Sequence, residues 1–320
     1  MIDILKGKNV KLVFTEGEDL RIQQAAQKLL EEKLALPVLL GSLSAIEETS
    51  KTGGTNLEGM EIIDPTNYDK FDEMVEKMTE LRKGKMDAAQ CAEALKKANY
   101  FGTMLVKMGY AQGLLGGATY STADTVRPAL QLVKTRPGVS IVSSCFIMNR
   151  EEAGKAERYV MADCAINLDP NEDELVEITQ ETAKAARLFD VDPKVALLSF
   201  SSKGSGKGPG VEKMQNATAK LKALDLDFPV DGELQFDAAF VPAVGQSKAP
   251  GSEVAGYANT FIFPDINSGN IGYKIAQRLG SFEAFGPILM GLNAPINDLS
   301  RGCNADEVYK MGIITAASAL

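Results

Sequence analysis

The sequence predicts an α/β fold built on mostly parallel sheets, and three observations lead there. Short apolar runs alternate with segments whose apolar residues recur at helical spacing. Two of the runs, 195–200 and 260–264, are apolar almost throughout, as strands covered on both faces require. Polar and glycine-containing turns punctuate the changes from one kind of segment to the other.

Taken in order, residues 10–14 form a strand closed by the polar stretch 15–19, and 20–33 follow as an amphipathic helix. A strand over 37–40 stops at Gly41-Ser42, and another over 60–63 stops at Asp64-Pro65. Residues 68–82 predict a helix with Phe71, Met74, Val75, Met78 and Leu81 on one stripe. One or two helices occupy 87–108, and a strand over 114–117 ends in paired glycines. The second half repeats the alternation: strand-like 139–148 and 159–167, a helix over 172–189, the apolar strands 195–200 and 260–264, and a helix over 271–279. A last apolar run, 287–292, precedes a helix-like tail, 304–320. The turn at 135–139 and the stretch 286–291 are the places where the chain is expected to cross between domains. Sheets of this kind bind ligands beyond the carboxyl ends of their strands, in the connecting loops.

Composition narrows the chemistry. At 320 residues the chain suits one large domain or two of ordinary size. With 45% apolar and 24% charged residues it has a globular balance. The net charge of −9, with no basic block, argues against nucleic acid and anionic membranes as partners, although a local basic pocket for a phosphorylated small molecule remains compatible. No apolar run approaches the roughly 20 residues that span a bilayer, and the N-terminal residues do not read as a secretory signal, so a cytoplasmic protein is expected. The cysteines, Cys91, Cys145, Cys164 and Cys303, are far apart and read as free thiols. The chain has no histidine. Ser-His-Asp and Cys-His chemistry are thereby excluded, no metal site of the common zinc or haem kind is expected, and acid–base work falls to carboxylates.

Several loops are candidates for that work. Residues 203–210, KGSGKGPG, resemble a P-loop but fail it: Ser201 occupies the first glycine position and Gly208 follows Lys207. Tight-turn geometry explains such a loop as well as phosphate binding does. The stretch 116–137 sets Thr119, Ser121, Thr122 and Thr125 ahead of Arg127-Pro128, with Pro128 expected at the first turn of a helix running to about Thr135. Arg127 can offer a forked donor to phosphate or to a developing oxyanion, or simply be solvated beside ordinary capping residues. Arg82 ends the 68–82 helix, where a cation is favoured by the dipole alone. Lys274 and Arg278, four apart, share one helix face, fit either for the phosphates of a nucleotide-like ligand or for solvent. The densest group is Asn297-Asp298-Leu299-Ser300-Arg301-Gly302, a hydroxyl and a guanidinium side by side on a loop between ordered elements, followed by Asp306 and Glu307. Asn304 and Glu307 also have capping-box spacing, so Glu307 can be read as a structural cap.

Taken together, STADTVRPALQ (121–131), ADCAIN (162–167), LSFSSKGSGKG (198–208), DGELQFDAAFVP (231–242), NTFIFPDINSGNIGYKIAQRLG (259–280) and GPILMGLNAPINDLSRGC (286–303) closely resemble bacterial phosphate acetyltransferases (phosphotransacetylases) over the full length. The resemblance implies a two-domain fold of the isocitrate/isopropylmalate-dehydrogenase kind, with the site in an interdomain cleft. It implies a first domain of residues 1–138 together with 291–320, and a second of 139–290. It further implies reversible acetyl transfer between acetyl-CoA and phosphate, giving acetyl phosphate and CoA. No tightly bound cofactor is implied; coenzyme A is a substrate, and homodimers are usual in such proteins. Residue by residue, Ser300 and Arg301 match the catalytic pair, and Arg127 and Arg82 match two further active-site arginines. Lys274 and Arg278 match basic positions linked to coenzyme A, for which Ser300, Arg301 and Arg127 are also binding candidates. The matching general base is an aspartate seven residues beyond the serine. Here Glu307 stands there with Asp306 beside it, so either carboxylate is a candidate. Tyr120 and Gly84 stand where histidine is common. The resemblance leaves open a related acyltransferase preferring butyryl or propionyl groups, and a non-catalytic sensor of acyl-CoA or acetyl phosphate. A decarboxylating dehydrogenase on the same broad fold lacks its dinucleotide fingerprint here.

Overall fold

In the computed structural model, which describes residues 1–152 and 154–320, the chain divides into two units, Met1–Gly138 with Leu292–Leu320, and Val139–Gly291. The first unit opens with α1 (Ile2–Leu5), β1 (Lys11–Phe14), α2 (Leu20–Glu31), β2 (Leu36–Leu40), α3 (Leu43–Gly53) and β3 (Glu61–Ile63). It continues with α4 (Phe71–Arg82), α5 (Ala88–Leu95), α6 (Ala98–Lys107), β4 (Gly113–Gly116) and α7 (Thr122–Pro128). The second unit holds β5 (Ser143–Glu152), β6 (Lys155–Ala162), α8 (Glu172–Leu188), β7 (Val195–Leu198), α9 (Pro209–Lys222) and β8 (Val230–Leu234). Its remaining elements are α10 (Phe236–Phe240), α11 (Pro242–Lys248), β9 (Thr260–Ile262), α12 (Ile266–Leu279) and β10 (Glu283–Met290). The chain then re-enters the first unit with β11 (Ile296–Asp298) and α13 (Ala305–Ala317).

The first sheet has the order β11-β4-β1-β2-β3 with every pairing parallel. From β1 the chain steps to β2 and β3 in one direction, whereas β4 and β11 lie on the other side. The order thus reverses at the β1–β4 pair, the kind of switch point where open α/β sheets bind ligands. Leu12, Val13, Phe14, Leu39, Leu40, Leu114 and Leu115 are all but fully buried, so these strands are covered on both faces. Helix α2 contributes Ile22, Ala25, Ala26 and Leu29, and α13 buries Val308, Met311, Ile313 and Ile314. The two helices approach closely because residue 312 is glycine: a Cβ there would lie 2.6 Å from Leu29 Cδ1.

The second sheet has the order β10-β5-β6-β9-β7-β8, antiparallel at β10–β5 and β5–β6 and parallel beyond. Phe146, Met148, Met161, Leu198, Phe261 and Tyr273 share its core, with Phe146 stacked on Tyr273 at 3.9 Å between ring centroids.

The strand expected over 139–148 is displaced to Ser143–Glu152 and the helix expected over 271–279 starts five residues earlier, at Ile266, and three further expectations need adjusting. The strand expected over 159–167 ends at Ala162. Buried Asp163 gathers the backbone N–H groups of Ala165, Ile166 and Asn167, and so turns the chain out of the sheet. The strand expected over 195–200 stops at Leu198, leaving Phe200 exposed. Pro128 closes α7 rather than opening a helix, and Ala129–Val133 follow as a π turn. Lacking an N–H and crowding the preceding carbonyls, Pro128 loosens the ladder. Lys134 N then donates to Ala129 O across five residues.

Asp231 anchors one edge of the second unit. Its buried carboxylate accepts from Lys203, Lys222 and Ser252. Burial works against its charge, but these donors prevail and hold its pKa at about 2. Because the folded value lies below the unfolded value of about 3.9, the contribution is complete above that value and is lost as pH falls toward 2. Allowing for the solvent-facing lysines, it amounts to about 1–2 kcal/mol. Urea unfolding should therefore find Asp231→Asn less stable by about that amount at pH 7. The difference should narrow by about 1 kcal/mol by pH 3. A difference that stays constant down to pH 3 assigns the effect to something other than the charge.

Candidate active site

Strands β1, β4 and β11 lie side by side and end at the same edge of the first sheet. Their carboxyl ends release the loops 15–19, 117–121 and 299–304 together. Asp298, the last residue of β11, is 1% exposed. Its Oδ2 accepts from the Thr122 hydroxyl at 2.6 Å and its Oδ1 from the Thr125 hydroxyl. Burial raises its pKa, opposed by these hydroxyls and by the Leu299 N–H. The first turns of α7 are thus bound to the residue two places before Ser300. Leu299 N donates to Gly116 O at 2.7 Å, closing the same junction. Gly117 has φ +104°, and a Cβ there would stand 2.3 Å from Asp298 Oδ1, so this approach requires glycine.

Glu16 performs the equivalent task on the other side of β4. Its Oε1 accepts from the N–H groups of Gly117 and Thr119, and its Oε2 from the Thr15 hydroxyl. Burial raises its pKa against the pull of those donors. Tyr120 places its hydroxyl 2.8 Å from Thr15 Oγ1, and burial pushes that phenol far above its usual value.

Ser300 and Arg301 stand exposed on the loop after β11, with Gly302 N donating to Ser300 Oγ at 3.3 Å. Arg127 projects from α7 with 58% of its side chain exposed and Asp124 at a loose 3.9 Å. Arg82 ends α4, donates to Gln131 O at 3.4 Å and keeps a buried Nε without an acceptor. Tyr100 donates to the Gln131 side chain at 3.0 Å. Arg82 and Tyr100 thus meet at Gln131; burial raises the Tyr100 pKa while the positive charges of Arg127 and Arg82 act against the rise.

The two carboxylates differ. Glu307 completes a capping box with Asn304, its Oε2 accepting from Asn304 N at 3.1 Å. Asp306 pairs with Lys310 along the helix at 2.8 Å. Cys303 is buried, and burial together with nearby carboxylates pushes its thiol to about 11 despite Arg21, so it stays protonated at neutral pH.

The first unit therefore holds Ser300, Arg301, Asp306, Glu307, Arg127 and Arg82. Lys274 and Arg278 belong to the second unit, exposed on α12, with Lys274 over the Tyr273 ring at 4.9 Å. The glycine-rich 203–210 loop is a set of tight turns closed on a carboxylate: Glu233 Oε1 accepts from Ser201 Oγ and Gly204 N. The loop's own turns take further N–H groups, Lys203 N donating to Glu233 O, Ser205 N to Ser202 O and Gly206 N to Ser201 Oγ, which leaves fewer of them for a phosphate.

Sequence reasoning passed over Glu16 and Arg21, and named Asp298 within the 297–302 group without giving it a role. For Arg21 a signal exists: a cation in the first turn of a helix opposes the dipole and needs a carboxylate, which Asp19 supplies. Among the described residues no helix is long and apolar enough to cross a membrane, and no group of three or more acidic or cysteine side chains is arranged for a metal ion.

The family model described as phosphate acetyl/butaryl transferase matches residues 1–316. The phosphate acetyltransferase of Bacillus subtilis (strain 168) is 52% identical over 314 residues, covering 98% of this chain and 96% of the relative. The crystal structure of a phosphotransacetylase from Streptococcus pyogenes superposes with a TM-score of 0.95 at 55% identity, covering 99% of this chain and 96% of that one. A putative 4-hydroxythreonine-4-phosphate dehydrogenase from Salmonella typhimurium shares the fold alone, with a TM-score of 0.55 at 14% identity over 97% of this chain and 99% of that one.

Proposed function

Since the chain belongs to the phosphate acetyl/butaryl transferase family, we infer that it is a phosphate acetyltransferase, moving an acetyl group reversibly between acetyl-CoA and inorganic phosphate. One observation carries the residue assignment: Ser300-Arg301 and the Arg127 helix issue from neighbouring parallel strands and are tied together through buried Asp298.

We assign the steps as follows. In the direction of acetyl-CoA synthesis, Glu307 takes the proton of the coenzyme A thiol. The thiolate attacks the carbonyl carbon of acetyl phosphate, and the carbonyl electrons move onto oxygen. Arg301 neutralises that oxyanion, with Ser300 donating a hydrogen bond to it. The tetrahedral intermediate collapses, the C–O bond to phosphate breaks, and phosphate leaves on the forked donors of Arg127 and Arg82. The buried, unpaired Nε of Arg82 supports that role, since an oxyanion reaching the guanidinium can satisfy it. Both carboxylates have partners, Glu307 the Asn304 N–H and Asp306 the Lys310 ammonium, and we assign the base to Glu307 because it stands seven residues beyond Ser300, the position that the resemblance gives to the base. No enzyme nucleophile enters the scheme, in keeping with the protonated state of Cys303.

We assign Lys274 and Arg278 to the phosphates of coenzyme A. Ile271 and Ile275 are exposed beside them and offer apolar contact to the rest of that molecule. We further propose a homodimer working in the cytoplasm. The exposed Phe236, Phe240 and Val241 support a partner surface, and four free, buried cysteines suit a reducing compartment.

The test is thiol release from acetyl-CoA with phosphate, run beside propionyl-CoA and butyryl-CoA. Acetyl-CoA should give a kcat/KM at least about 10-fold above butyryl-CoA, as two extra methylenes in a fitted pocket imply. The reverse order makes the enzyme a larger-chain acyltransferase, and no release with any of them leaves only a binding role.

A further inference from the structure

Arg21 lies in the first turn of α2, where the helix dipole opposes a cation, yet each of its five N–H donors has an oxygen acceptor. Asp19 takes two: Nε donates to Oδ1 at 3.0 Å and Nη2 to Oδ2 at 2.7 Å. The remaining three reach backbone carbonyls on two other loops. Nη1 donates to Arg301 O at 3.0 Å and Cys303 O at 2.9 Å, and Nη2 donates to Ala118 O at 3.1 Å. The Asp19 carboxylate is held below its usual pKa chiefly by the Arg21 side chain, so the pair is charged and the fork is oriented.

The two carbonyls on Nη1 bracket Gly302, immediately after Ser300-Arg301. The carbonyl on Nη2 belongs to the loop that leads into α7 and Arg127. Both side chains at 300 and 301 are exposed, so their placement depends on how their backbone is held. We propose that Arg21 is a positioning residue for acetyl transfer: locked by Asp19, its guanidinium fixes the Ser300-Arg301 backbone against the loop that carries Ala118. The proposal rests on the roles assigned above to Ser300 and Arg301. Misplacing a reacting group by about 1 Å costs on the order of 100-fold in rate, and a loop freed from its two charge-assisted hydrogen bonds, and from the third that joins it to the Ala118 loop, can move by that much.

The experiment compares Arg21→Ala, Arg21→Lys and Asp19→Asn with Arg301→Ala in the full chain, by steady-state kinetics and thermal unfolding. Asparagine remains a good helix cap, so Asp19→Asn releases the fork without removing the cap. Arg21→Ala should lower kcat per folded enzyme by about 30- to 100-fold, with each KM within about 3-fold, as expected when transition-state placement rather than substrate binding is lost. Lysine should not restore it, because an ammonium lacks the planar fork. Added guanidinium ion should raise kcat of Arg21→Ala several-fold, and Asp19→Asn should fall by about 5- to 10-fold, a smaller loss because the guanidinium remains. Should Arg21→Ala not fold, the lysine and Asp19 variants carry the test. Turnover per folded enzyme within about 3-fold of wild type in the Arg21 variants, or a loss that merely follows the unfolded fraction, overturns the proposal. Near-wild-type Arg301→Ala overturns the underlying site assignment instead. Active Arg21 variants beside an inactive Arg301→Ala overturn the positioning role alone.

Discussion

Arg301→Ala is expected to reduce acetyl-phosphate formation by about 100- to 1,000-fold, the range seen when one well-aimed oxyanion donor is removed. The fold should tolerate the change. The Arg301 side chain is exposed, and the contact that holds this residue uses its backbone carbonyl, which Arg21 engages and which alanine retains. The melting temperature should therefore move little while turnover collapses, so lost chemistry separates cleanly from lost structure. Arg301→Lys should recover only part of the rate, because a single ammonium supplies charge without the fork that suits a planar or tetrahedral oxygen group. Acetyl-phosphate formation and thiol release, each per folded enzyme, are the readouts. A folded Arg301→Ala that keeps more than a tenth of wild-type turnover removes the main electrostatic element of the mechanism.

Legibility in the sequence followed a physical divide. Strands β1, β2 and β4 could be read because doubly covered strands are made of consecutive apolar residues, and α2 and α4 because each buries one stripe. Strand β11 could not. It is Ile-Asn-Asp, and two buried polar residues in a three-residue strand look like loop. The partners that make it a strand are far away in sequence: Asn297 donates to Thr315, and Asp298 accepts from Thr122 and Thr125. Strand β8 hides for the same reason, with Asp231 and Glu233 buried among distant lysines and hydroxyls. Exposed Ser300 and Arg301 drew attention as a hydroxyl beside a guanidinium on a loop, whereas exposed Arg127 and half-buried Arg82 had ordinary local explanations and gained their roles from the resemblance. The groups that hold this loop region, buried Asp298 and half-buried Glu16 and Arg21, act through contacts spanning more than a hundred residues, which no local pattern records.

Glu307→Gln should be the more damaging of the two carboxylate changes, lowering kcat by about 100-fold or more, as loss of a general base does. Asp306→Asn should stay within about 3-fold of wild type, since it removes only a solvent-exposed helix pair. The glutamine change isolates the charge. Glutamine at the third helical position completes a capping box with Asn304 as glutamate does, so α13 keeps its start and the loop ahead of it keeps its frame. A loss of turnover in Glu307→Gln at unchanged stability then reads the missing carboxylate rather than a frayed helix. The pH profile gives a second readout, because the rise in kcat/KM that reports the ionised base should vanish in Glu307→Gln and persist in Asp306→Asn. The opposite ranking moves the base to Asp306, which would then have to leave Lys310 and turn toward the Ser300 loop. Equal, modest losses in both assign neither carboxylate to the proton and leave the thiolate to be generated by the positive field of the arginines alone.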